Sequence, residues 1–378
     1  MKLSGAAVPA ANARIAIVLP TLHGGGAERL HLNLAHDWIR RGYAVDFVLM
    51  RKKGELLPLV SSRIRVIDLS ADRIREAILP LRRYLRQEHP DYTIAALWPL
   101  TSAAVAAWLL SGRRGRLFLS DHSHLSTSCV RDLHVPLSLL GASMGLTYPL
   151  ATGVIAVSEG VKNDMLQLAH LQARHVNVIY NPTATGVSPR RESNATVNSL
   201  WGERCRQRIL TVGNLKPAKD HATLLKAFAQ LPLELGARLV ILGEGKLRPQ
   251  LEQQAAELGI ADRISMPGFV ADPYPWFRSA DLFVCSSQWE GFGNVLVEAL
   301  ECGVPVVSTD CPSGPSEILE GGRFGRLVRL GDPAALAQAI EAHLGARHDR
   351  ELLRKRALAF AVPTISEEYL RYFAKGLG

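Results

Sequence analysis

The stretch LFVCSSQWEGFGNVLVEALECG, residues 282–303, contains the pattern that decides the fold. It opens with a short apolar run typical of a buried strand, passes through a loop with two glycines, and continues into a helix expected to start near Asn294. Similar short runs alternate with longer amphipathic stretches along the chain, at residues 15–19, 44–49, 93–98, 154–157, 209–212, 239–242, 282–285 and 304–308. This alternation predicts an α/β fold in which parallel sheets are covered by helices.

The 378 residues are enough for two domains, each with its own core. The alternation of short apolar runs and amphipathic stretches is interrupted between residues 181 and 207. Polar residues and proline dominate there, as in connecting segments. We predict an N-terminal domain at 1–185, a linker at 186–207 and a C-terminal domain at 208–362. A final helix at 363–378, centred on 366–373, is expected to pack back on the N-terminal domain. Each domain should be a doubly wound sheet that binds ligands at the carboxyl ends of its strands.

Residues 133–158 contain no Asp, Glu, Lys or Arg and are long enough to span a bilayer. Prolines and hydroxyl residues interrupt them, so we favour a helix at 137–148 followed by a strand at 153–157 over a transmembrane segment. The five cysteines are odd in number and form no Cys-x-x-Cys pair, which favours a reducing compartment. No export signal is visible near the start, so a cytoplasmic protein is expected.

The net charge of +9 is concentrated in the first half of the chain. Residues 1–180 carry 21 Lys and Arg against 13 Asp and Glu, a formal +8, and the remainder carries +1. A basic half suits an anionic membrane face or nucleic acid, although a merely solvated surface is the alternative. The basic clusters have almost no aromatic residues among them and no zinc-finger or RNP pattern appears, which disfavours nucleic acid. The stretch 72–89 favours a core-facing helix over one lying on a membrane.

Glu290 and Glu298 are the carboxylates of the stretch quoted above. Gly291 and Gly293 make Glu290 a loop residue, whereas Glu298 lies in the first turns of the expected helix. An ionised carboxylate facing a cleft accepts hydrogen bonds from paired hydroxyls, as on a ribose or hexose. The alternative is that both acids only favour the field of the helix N-terminus.

Two other strand-to-helix turns could hold an anion. The first contains Gly24, Gly25 and Gly26, and its spacing matches neither a dinucleotide fingerprint nor a P-loop. Plain turn geometry explains it equally well. The second, at 211–220, contains Lys219, which can neutralise a phosphate as a compact charge, although a surface lysine is the default interpretation.

An ordered series of motifs resembles the family 4 retaining glycosyltransferases of the GT-B fold. The series comprises VGNL at 212–215 with Lys219 after it, LGEG at 242–245, PGFV at 267–270, ADLF at 280–283, the Glu-x7-Glu unit from Glu290 to Glu298, and CGVPVV at 302–307. GGAER at 25–29 and the segment 154–160 extend the resemblance over most of the chain. It implies two Rossmann-like domains facing a central cleft. The run 308–319 is similar to bacterial members that build lipid-linked or surface polysaccharides.

The resemblance implies roles for individual residues. Glu298 would hold the ribose diol of the nucleotide, and Val270 would lie near its base. Lys219 and the Gly25-Gly26 turn would hold the diphosphate, and His122 would lie beside the donor sugar and the reacting centre. The hydroxyls of that sugar would be held by Glu290 and by the backbone amides of Gly291, Phe292, Gly293 and Asn294.

One residue departs from the family pattern, which often has arginine where this chain has Asn214. The leaving nucleoside diphosphate gains charge as the glycosidic bond breaks, so a missing cation matters. Lys219, helix N-termini and Lys216 must then supply the stabilisation, or Asn214 supplies hydrogen bonds instead. No Asp-x-Asp occurs in the sequence, and oxygen-ligand magnesium sites usually need such carboxylates, so we expect neither metal nor cofactor.

The resemblance implies a retaining glycosyltransferase that moves a hexose or N-acetylhexosamine from a nucleotide sugar, with a UDP-sugar as the favoured donor, to an acceptor. The expected acceptor is a lipid-linked oligosaccharide or surface polysaccharide, reached at the inner face of the cytoplasmic membrane through the basic half. The expected partners are therefore the UDP-sugar, the acceptor and anionic lipid, with no nucleic acid. The alternative, favoured only by Asn214, is a non-catalytic nucleotide-sugar-binding partner with the same fold.

Overall fold

The computed structural model describes residues 8–133, 135–186, 197, 199, 201–202 and 205–375, and it divides into two compact units. The first unit contains the residues up to Thr183 together with those from Val362 onward, and the second contains Ala184–Ala361. The first unit ends two residues before the predicted domain end at 185, whereas the second unit begins at Ala184 and not at the predicted 208. Much of the predicted linker, 186–207, lies outside the described residues.

The first unit is built on a parallel sheet whose central strands are buried. Its described strands are Arg14–Leu19 (β1), Ala44–Leu49 (β2), Arg65–Asp68 (β3), Tyr92–Ala96 (β4), Arg116–Asp121 (β5), Gly153–Ala156 (β6) and Val176–Val178 (β7). They are arranged in the order β3-β2-β1-β4-β5-β6-β7. Residues 15–19 have no exposed surface, which explains why this strand is apolar throughout instead of alternating.

The helices of the first unit connect successive strands. They are Gly26–Arg40 (α1), Ile74–Glu88 (α2), Leu100–Leu110 (α3), Leu125–Ser128 (α4), Leu137–Thr147 (α5) and Glu159–Ala169 (α6). The described residues of α2 bury Ala77, Leu81, Tyr84 and Leu85, so the predicted core-facing helix is confirmed. Helix α5 and strand β6 each end one residue before the predicted ends at 148 and 157, so a helix followed by a strand is confirmed here. Among the described residues, no helix has both the length and the apolar character needed to cross a bilayer.

The second unit is a separate parallel sheet with its own core. Its described strands are Gln207–Val212 (β8), Ala237–Leu242 (β9), Ile264–Gly268 (β10), Leu282–Cys285 (β11), Val306–Thr309 (β12) and Arg326–Val328 (β13), in the order β10-β9-β8-β11-β12-β13. Its described helices are His221–Ala229 (α7), Arg248–Glu257 (α8), Tyr274–Ser279 (α9), Asn294–Glu301 (α10), Pro315–Ile318 (α11), Pro333–Leu344 (α12) and Arg350–Ala357 (α13). Both sheets are doubly wound, which confirms the predicted fold class.

The last described helix is Val362–Lys375 (α14), and it belongs to the first unit. Its Ile365, Tyr369, Leu370 and Phe373 are part of that unit's hydrophobic core. The helix begins at Val362, one residue before the predicted start, and Pro363 lies inside its first turn. The missing N–H of proline costs no hydrogen bond at that position.

Several predicted strand ends differ from the structure, and for two of them the local reason is clear. The run 93–98 ends as a strand at Ala96, because Leu97 has a positive φ of 73°, which no regular strand residue adopts. The run 304–308 begins as a strand only at Val306, because Gly303 has a positive φ and Pro305 cannot donate a hydrogen bond to a neighbouring strand.

Candidate functional site

The order of the second sheet reverses between β8 and β11, and the candidate residues lie where these two strands end. Lys219 follows β8, and Glu290 follows β11. The two strands pair in parallel, with Leu282 opposite Ile209, so their carboxyl ends lie at the same edge of the sheet. Doubly wound sheets bind ligands in the crevice that opens at this reversal. The structure therefore brings these two predicted residues to one place.

Lys219 and Glu290 form a largely buried ion pair. Lys219 Nζ lies 2.5 Å from Glu290 Oε1, and only 18% and 11% of the two side chains is exposed. Burial alone would lower the pKa of Lys219, but the neighbouring Glu290 carboxylate outweighs burial and raises that pKa. Ser287 Oγ also donates to Glu290 Oε1, at 2.7 Å. The pair presents a fixed cation beside a fixed carboxylate at the sheet edge.

The loop that carries Glu290 is held by residues that sequence reasoning missed. Ser313 Oγ donates to the carbonyl of Glu290 at 2.7 Å, and Thr309 Oγ1 donates to that of Ser287 at 2.6 Å. Gly314 has a φ of 94°, and a Cβ there would lie 1.8 Å from the carbonyl oxygen of Phe292. Only glycine fits both conditions. In the sequence, the run 308–319 indicated only a similarity to certain bacterial family members. In the structure, its residues hold the loop that carries Glu290 in place.

Helix α10 begins at Asn294, as predicted, and Gly293 precedes it with a positive φ of 96°. Glu290 is a loop residue and Glu298 lies partly exposed in the helix, so the two carboxylates have different surroundings. Glu301, one turn further on, was missed. It is buried and accepts hydrogen bonds from Tyr274 Oη at 2.9 Å and from the Gly186 N–H at 2.6 Å.

The turn after β8 packs closely on the turn after β9. A Cβ on Gly243 would lie 2.0 Å from the carbonyl oxygen of Gly213, so these backbones touch. The side chains of Asn214 and Lys216 are exposed on this turn. Within the described part of the chain, neither side chain has a hydrogen-bond or ionic partner. Both are therefore accessible to a ligand at this edge.

Two further residues lie near the same edge. His221 is buried at the start of α7. Burial, followed by the charge of Lys219, lowers the pKa of His221 to about 4. Val270 follows β10 and is partly exposed, and the ring of the preceding Phe269 is 55% exposed. Phe269 belongs to the PGFV motif at 267–270, but its exposure could not be predicted from the sequence.

The glycine turn of the first unit is less suited to phosphate than predicted from sequence. Gly25 is the N-cap of α1, and a Cβ there would lie 2.3 Å from Glu28 Oε2. The Gly24 N–H donates to Glu55 Oε2 at 3.2 Å, and His23 Nδ1 lies 3.0 Å from the same oxygen. Two carboxylates thus lie at the turn, and each repels a phosphate.

His122 follows β5 in the first unit, and its surroundings differ from those of nearby His124. His124 is tied to α4 and α6 by Ser126, Thr127 and Asp164. His122 Nε2 lies 3.0 Å from Ser120 Oγ, whereas its buried Nδ1 has no partner in the described chain. The structure therefore separates a structural histidine, His124, from one with an uncommitted nitrogen.

A second histidine lies against His122 and was missed by sequence reasoning. The ring of His31 lies edge-on to that of His122, with 5.2 Å between the centroids. Burial lowers the pKa of His31 to about 4, and burial together with His31 lowers that of His122 well below its usual value. Both rings are therefore neutral at pH 7, and His122 can exchange hydrogen bonds but carries no charge.

Asp121, the residue before His122, is buried, and among the described residues no lysine or arginine pairs with it. Its carboxylate accepts hydrogen bonds from Tyr148 Oη at 2.5 Å and from the Trp98 N–H at 3.1 Å. Burial raises the pKa of Asp121 to about 6. The end of β5 thus combines a carboxyl group with a raised pKa and a histidine with a lowered pKa, and burial is the main cause of both shifts.

Two family models match the chain on either side of the unit boundary. One, described as Glycosyltransferase Family 4, matches residues 24–186, and the other, Glycosyl transferases group 1, matches residues 206–345. Together they cover most of both units.

Individual proteins extend this similarity. The N-acetylgalactosamine-N,N'-diacetylbacillosaminyl-diphospho-undecaprenol 4-alpha-N-acetylgalactosaminyltransferase of Campylobacter jejuni is 30% identical over 61% of this chain and 62% of its own length. A lipopolysaccharide core biosynthesis glycosyltransferase of Rhizobium meliloti is 28% identical over 93% of this chain and 96% of its own. The crystal structure of Anabaena HepE with UDP and glucose superposes with a TM-score of 0.78 at 22% identity, covering 94% of this chain and 98% of the other.

Proposed function

Because the chain belongs to the family 4 glycosyltransferases and has the GT-B fold, we propose that it transfers a hexose or N-acetylhexosamine from a UDP-sugar to a lipid-linked oligosaccharide or surface polysaccharide. The transfer retains the anomeric configuration and uses no metal. The observation that carries this proposal is the buried Lys219–Glu290 pair at the reversal of the second sheet.

The proposed role of Lys219 is to stabilise the leaving diphosphate. Breaking the glycosidic bond places negative charge on the phosphate oxygens, and a fixed cation in a site shielded from water stabilises that charge. In the free protein, Lys219 already pairs with an anion, Glu290. A bound diphosphate takes over part of that pairing and frees Glu290 to accept hydrogen bonds from hydroxyls of the donor sugar.

The other donor contacts follow the family pattern. Glu298 holds the ribose diol, Val270 lies near the base, and the backbone amides of residues 291–294 hold hydroxyls of the donor sugar. The exposure of Asn214 and Lys216 supports a part for both at the phosphates. The Gly25-Gly26 turn stays a prediction, and Glu28 and Glu55 make it a poorer phosphate site than Lys219.

The names of the relatives support the donor and acceptor classes. HepE was crystallised with UDP and glucose, and the Campylobacter relative is named for a diphospho-undecaprenol acceptor. That name also specifies an α-linked product, and an α product from an α-linked UDP-sugar requires net retention. In the retaining route proposed here, the leaving phosphate oxygen takes the proton from the acceptor hydroxyl as that hydroxyl bonds to the anomeric carbon.

Metal-independent transfer is part of the proposal. A metal-free enzyme must supply its positive charge from side chains and helix N-termini. In the second unit, Lys219, the exposed Lys216 and the N-terminus of α10 are proposed to supply it. The absence of Asp-x-Asp from the sequence is consistent with this arrangement.

The first unit is proposed to bind the acceptor and the inner face of the cytoplasmic membrane. Its formal charge supports attraction to anionic lipid, since a basic residue near such a surface contributes about 1 kcal/mol. The proposed part of His122 is to hold a hydroxyl near the reacting centre as a neutral hydrogen-bonding group.

The proposal is tested by turnover of Glu290→Gln. We expect at least a hundredfold loss of transfer from UDP-sugars, because the amide keeps the shape of Glu290 but lacks its charge, while UDP still binds. The matched control is Glu234→Gln, which alters an exposed carboxylate of the same unit and should leave transfer unchanged. Equal turnover of wild type and Glu290→Gln would contradict the proposal.

The alternative function is a non-catalytic partner that binds nucleotide sugars. Asn214 is the observation that favours it, because an exposed amide stands where the family often has a cation. A wild-type protein that binds UDP but transfers no sugar from any UDP-sugar would support this alternative.

A further inference from the structure

Helix α5 presents leucine side chains to solvent. Leu139 and Leu146 lie one above the other on its outer face, seven residues apart, and are 60% and 74% exposed. Leu150, in the turn that follows, continues this stripe and is 42% exposed. Of the fourteen exposed large hydrophobic side chains among the described residues, five lie within residues 130–150. We call Leu139, Leu146 and Leu150 the leucine stripe.

The opposite face of α5 is already occupied by the unit's own packing. Leu140 and Met144 have no exposed surface. Gly141 lies so close to α6 that a Cβ would be 2.3 Å from the carbonyl oxygen of Leu168. The helix is therefore seated firmly on its inner side, so the leucine stripe faces outward in a fixed orientation.

Two polar side chains of α5 are used inside the unit. Ser143 Oγ accepts a hydrogen bond from Trp98 Nε1 at 2.8 Å, and Thr147 Oγ1 lies 3.1 Å from Ser102 Oγ on α3. An ordinary surface helix places polar groups in water and leucines in the core. Helix α5 instead directs Ser143 and Thr147 toward the unit and exposes leucines. This arrangement favours an outer face that meets something less polar than water.

Helix α2, which lies against the other neighbour of α5, helix α3, carries exposed arginines. Helix α3 packs against both α2 and α5. The outer side of α2 carries Arg75, Arg83 and Arg86, all exposed and, among the described residues, without a hydrogen-bond or ionic partner. Between them lies Leu79, 62% exposed. The helices thus combine exposed leucines with uncompensated arginines.

We propose that the outer faces of α5 and α2 bind an anionic lipid bilayer, with the leucine stripe entering the boundary between headgroups and acyl chains. This inference rests on the proposed function, which has the first unit bind the membrane, and adds which helices bind and that leucines enter the bilayer. A second copy of the chain is a less suitable occupant, because two basic surfaces repel each other, whereas anionic lipid complements both the arginines and the leucines. Ser138, also exposed on α5, suits headgroup depth, and the exposed Ala142 adds no charge to the stripe.

The test compares two matched pairs of leucine substitutions in the full chain. Binding to sedimented vesicles of phosphatidylglycerol and phosphatidylcholine is measured for L139Q/L146Q and for the control L233Q/L358Q. The control leucines, 72% and 61% exposed, lie in the second unit, so the exposure of the two pairs is matched. We expect roughly tenfold or greater loss of affinity for L139Q/L146Q, since burial of a leucine side chain is lost twice, and no change for the control.

The contribution of the α2 arginines to vesicle binding is measured with the triple variant R75Q/R83Q/R86Q. Its affinity should fall at low salt and approach that of wild type in high salt, where screening removes the contribution of the arginines. Wild type should retain a salt-resistant fraction of its binding that L139Q/L146Q lacks. Equal unfolding temperatures of all variants will show that folding is unchanged.

Two results would overturn the inference. One is equal vesicle binding by L139Q/L146Q and wild type. The other is a wild-type dimer that L139Q/L146Q converts to monomer, which would assign the stripe to a second copy. A UDP thermal shift measured on the same proteins without vesicles keeps the two proposals apart, because loss of vesicle binding with an unchanged shift concerns the membrane surface alone.

Discussion

At the scale of single residues, the account depends on the Lys219–Glu290 pair. A buried pair contributes little net stability, but removing one partner leaves an uncompensated charge. The pair is also the pre-formed cation and acceptor that the proposed chemistry needs, at the edge where the second sheet reverses. Its structural and functional roles can be separated by substitution.

We predict that Lys219→Met lowers the free energy of unfolding by about 3 kcal/mol, because Glu290 is left buried and unpaired. The double variant Lys219→Met/Glu290→Gln should recover most of that loss, since the buried charge is gone, and should remain inactive. Calorimetric unfolding of the three proteins measures this. Equal destabilisation by the single and the double variant would show that the pair is not coupled.

Asp121 gives a prediction about pH. Its folded pKa of about 6 lies above the value of about 3.9 expected when unfolded. Between these values the folded chain binds more protons than the unfolded chain, so this group lowers the free energy of unfolding as pH rises from about 4 to 6. Asp121→Asn removes that penalty while keeping an acceptor for the Trp98 N–H.

The measurement is the difference in unfolding free energy between Asp121→Asn and wild type across this range. We expect the difference to shift in favour of the variant by up to about 3 kcal/mol between pH 4 and pH 7. Comparing variant with wild type cancels the opposite trend from the buried histidines, which become protonated as pH falls. A difference that does not change with pH would contradict the raised pKa.

At the scale of elements, the contact of the Gly314 loop with the Glu290 loop positions the carboxylate. Alanine at 314 must overlap the carbonyl oxygen of Phe292 and also adopt a strained backbone. We predict that Gly314→Ala lowers both the unfolding temperature and the transfer rate, the rate by at least tenfold.

The control for Gly314→Ala is Gly42→Ala. Gly42 has nearly the same φ, 92°, but a Cβ there would meet nothing within 4 Å. Gly42→Ala should lower the free energy of unfolding only by the conformational penalty of about 1 kcal/mol and leave the transfer rate unchanged. If both variants lose transfer equally, the effect of Gly314 is a matter of backbone strain and not of the contact with Phe292.

The elements also show what sequence reasoning can and cannot find. Buried central strands such as β2 and β11 were predicted because a strand covered on both faces must be apolar throughout. Strand β3 was missed because it is short and exposed at both ends, so its sequence carries no such pattern. The contacts of Ser313 and His31 join residues distant in sequence, and local patterns do not encode them.

At the scale of the whole molecule, both units place candidate residues at the carboxyl ends of the strands of a doubly wound sheet. The candidate residues predicted from motifs all lie in turns or helices that follow strands, where such sheets bind ligands. Motifs could predict that Lys219 and Glu290 belong to a site, because the family pattern fixes their order. They could not predict that the two side chains pair directly, or that carboxylates surround the glycine turn of the first unit.

The most direct test of the central claim is the binding of UDP to the full chain, measured by titration calorimetry in the presence of EDTA. The account predicts saturable binding to wild type that EDTA does not change, and at least tenfold weaker binding to Lys219→Met at a temperature where that variant is folded. Wild type that fails to bind UDP, or Lys219→Met that binds it as tightly as wild type, would contradict the assignment of the diphosphate to this site.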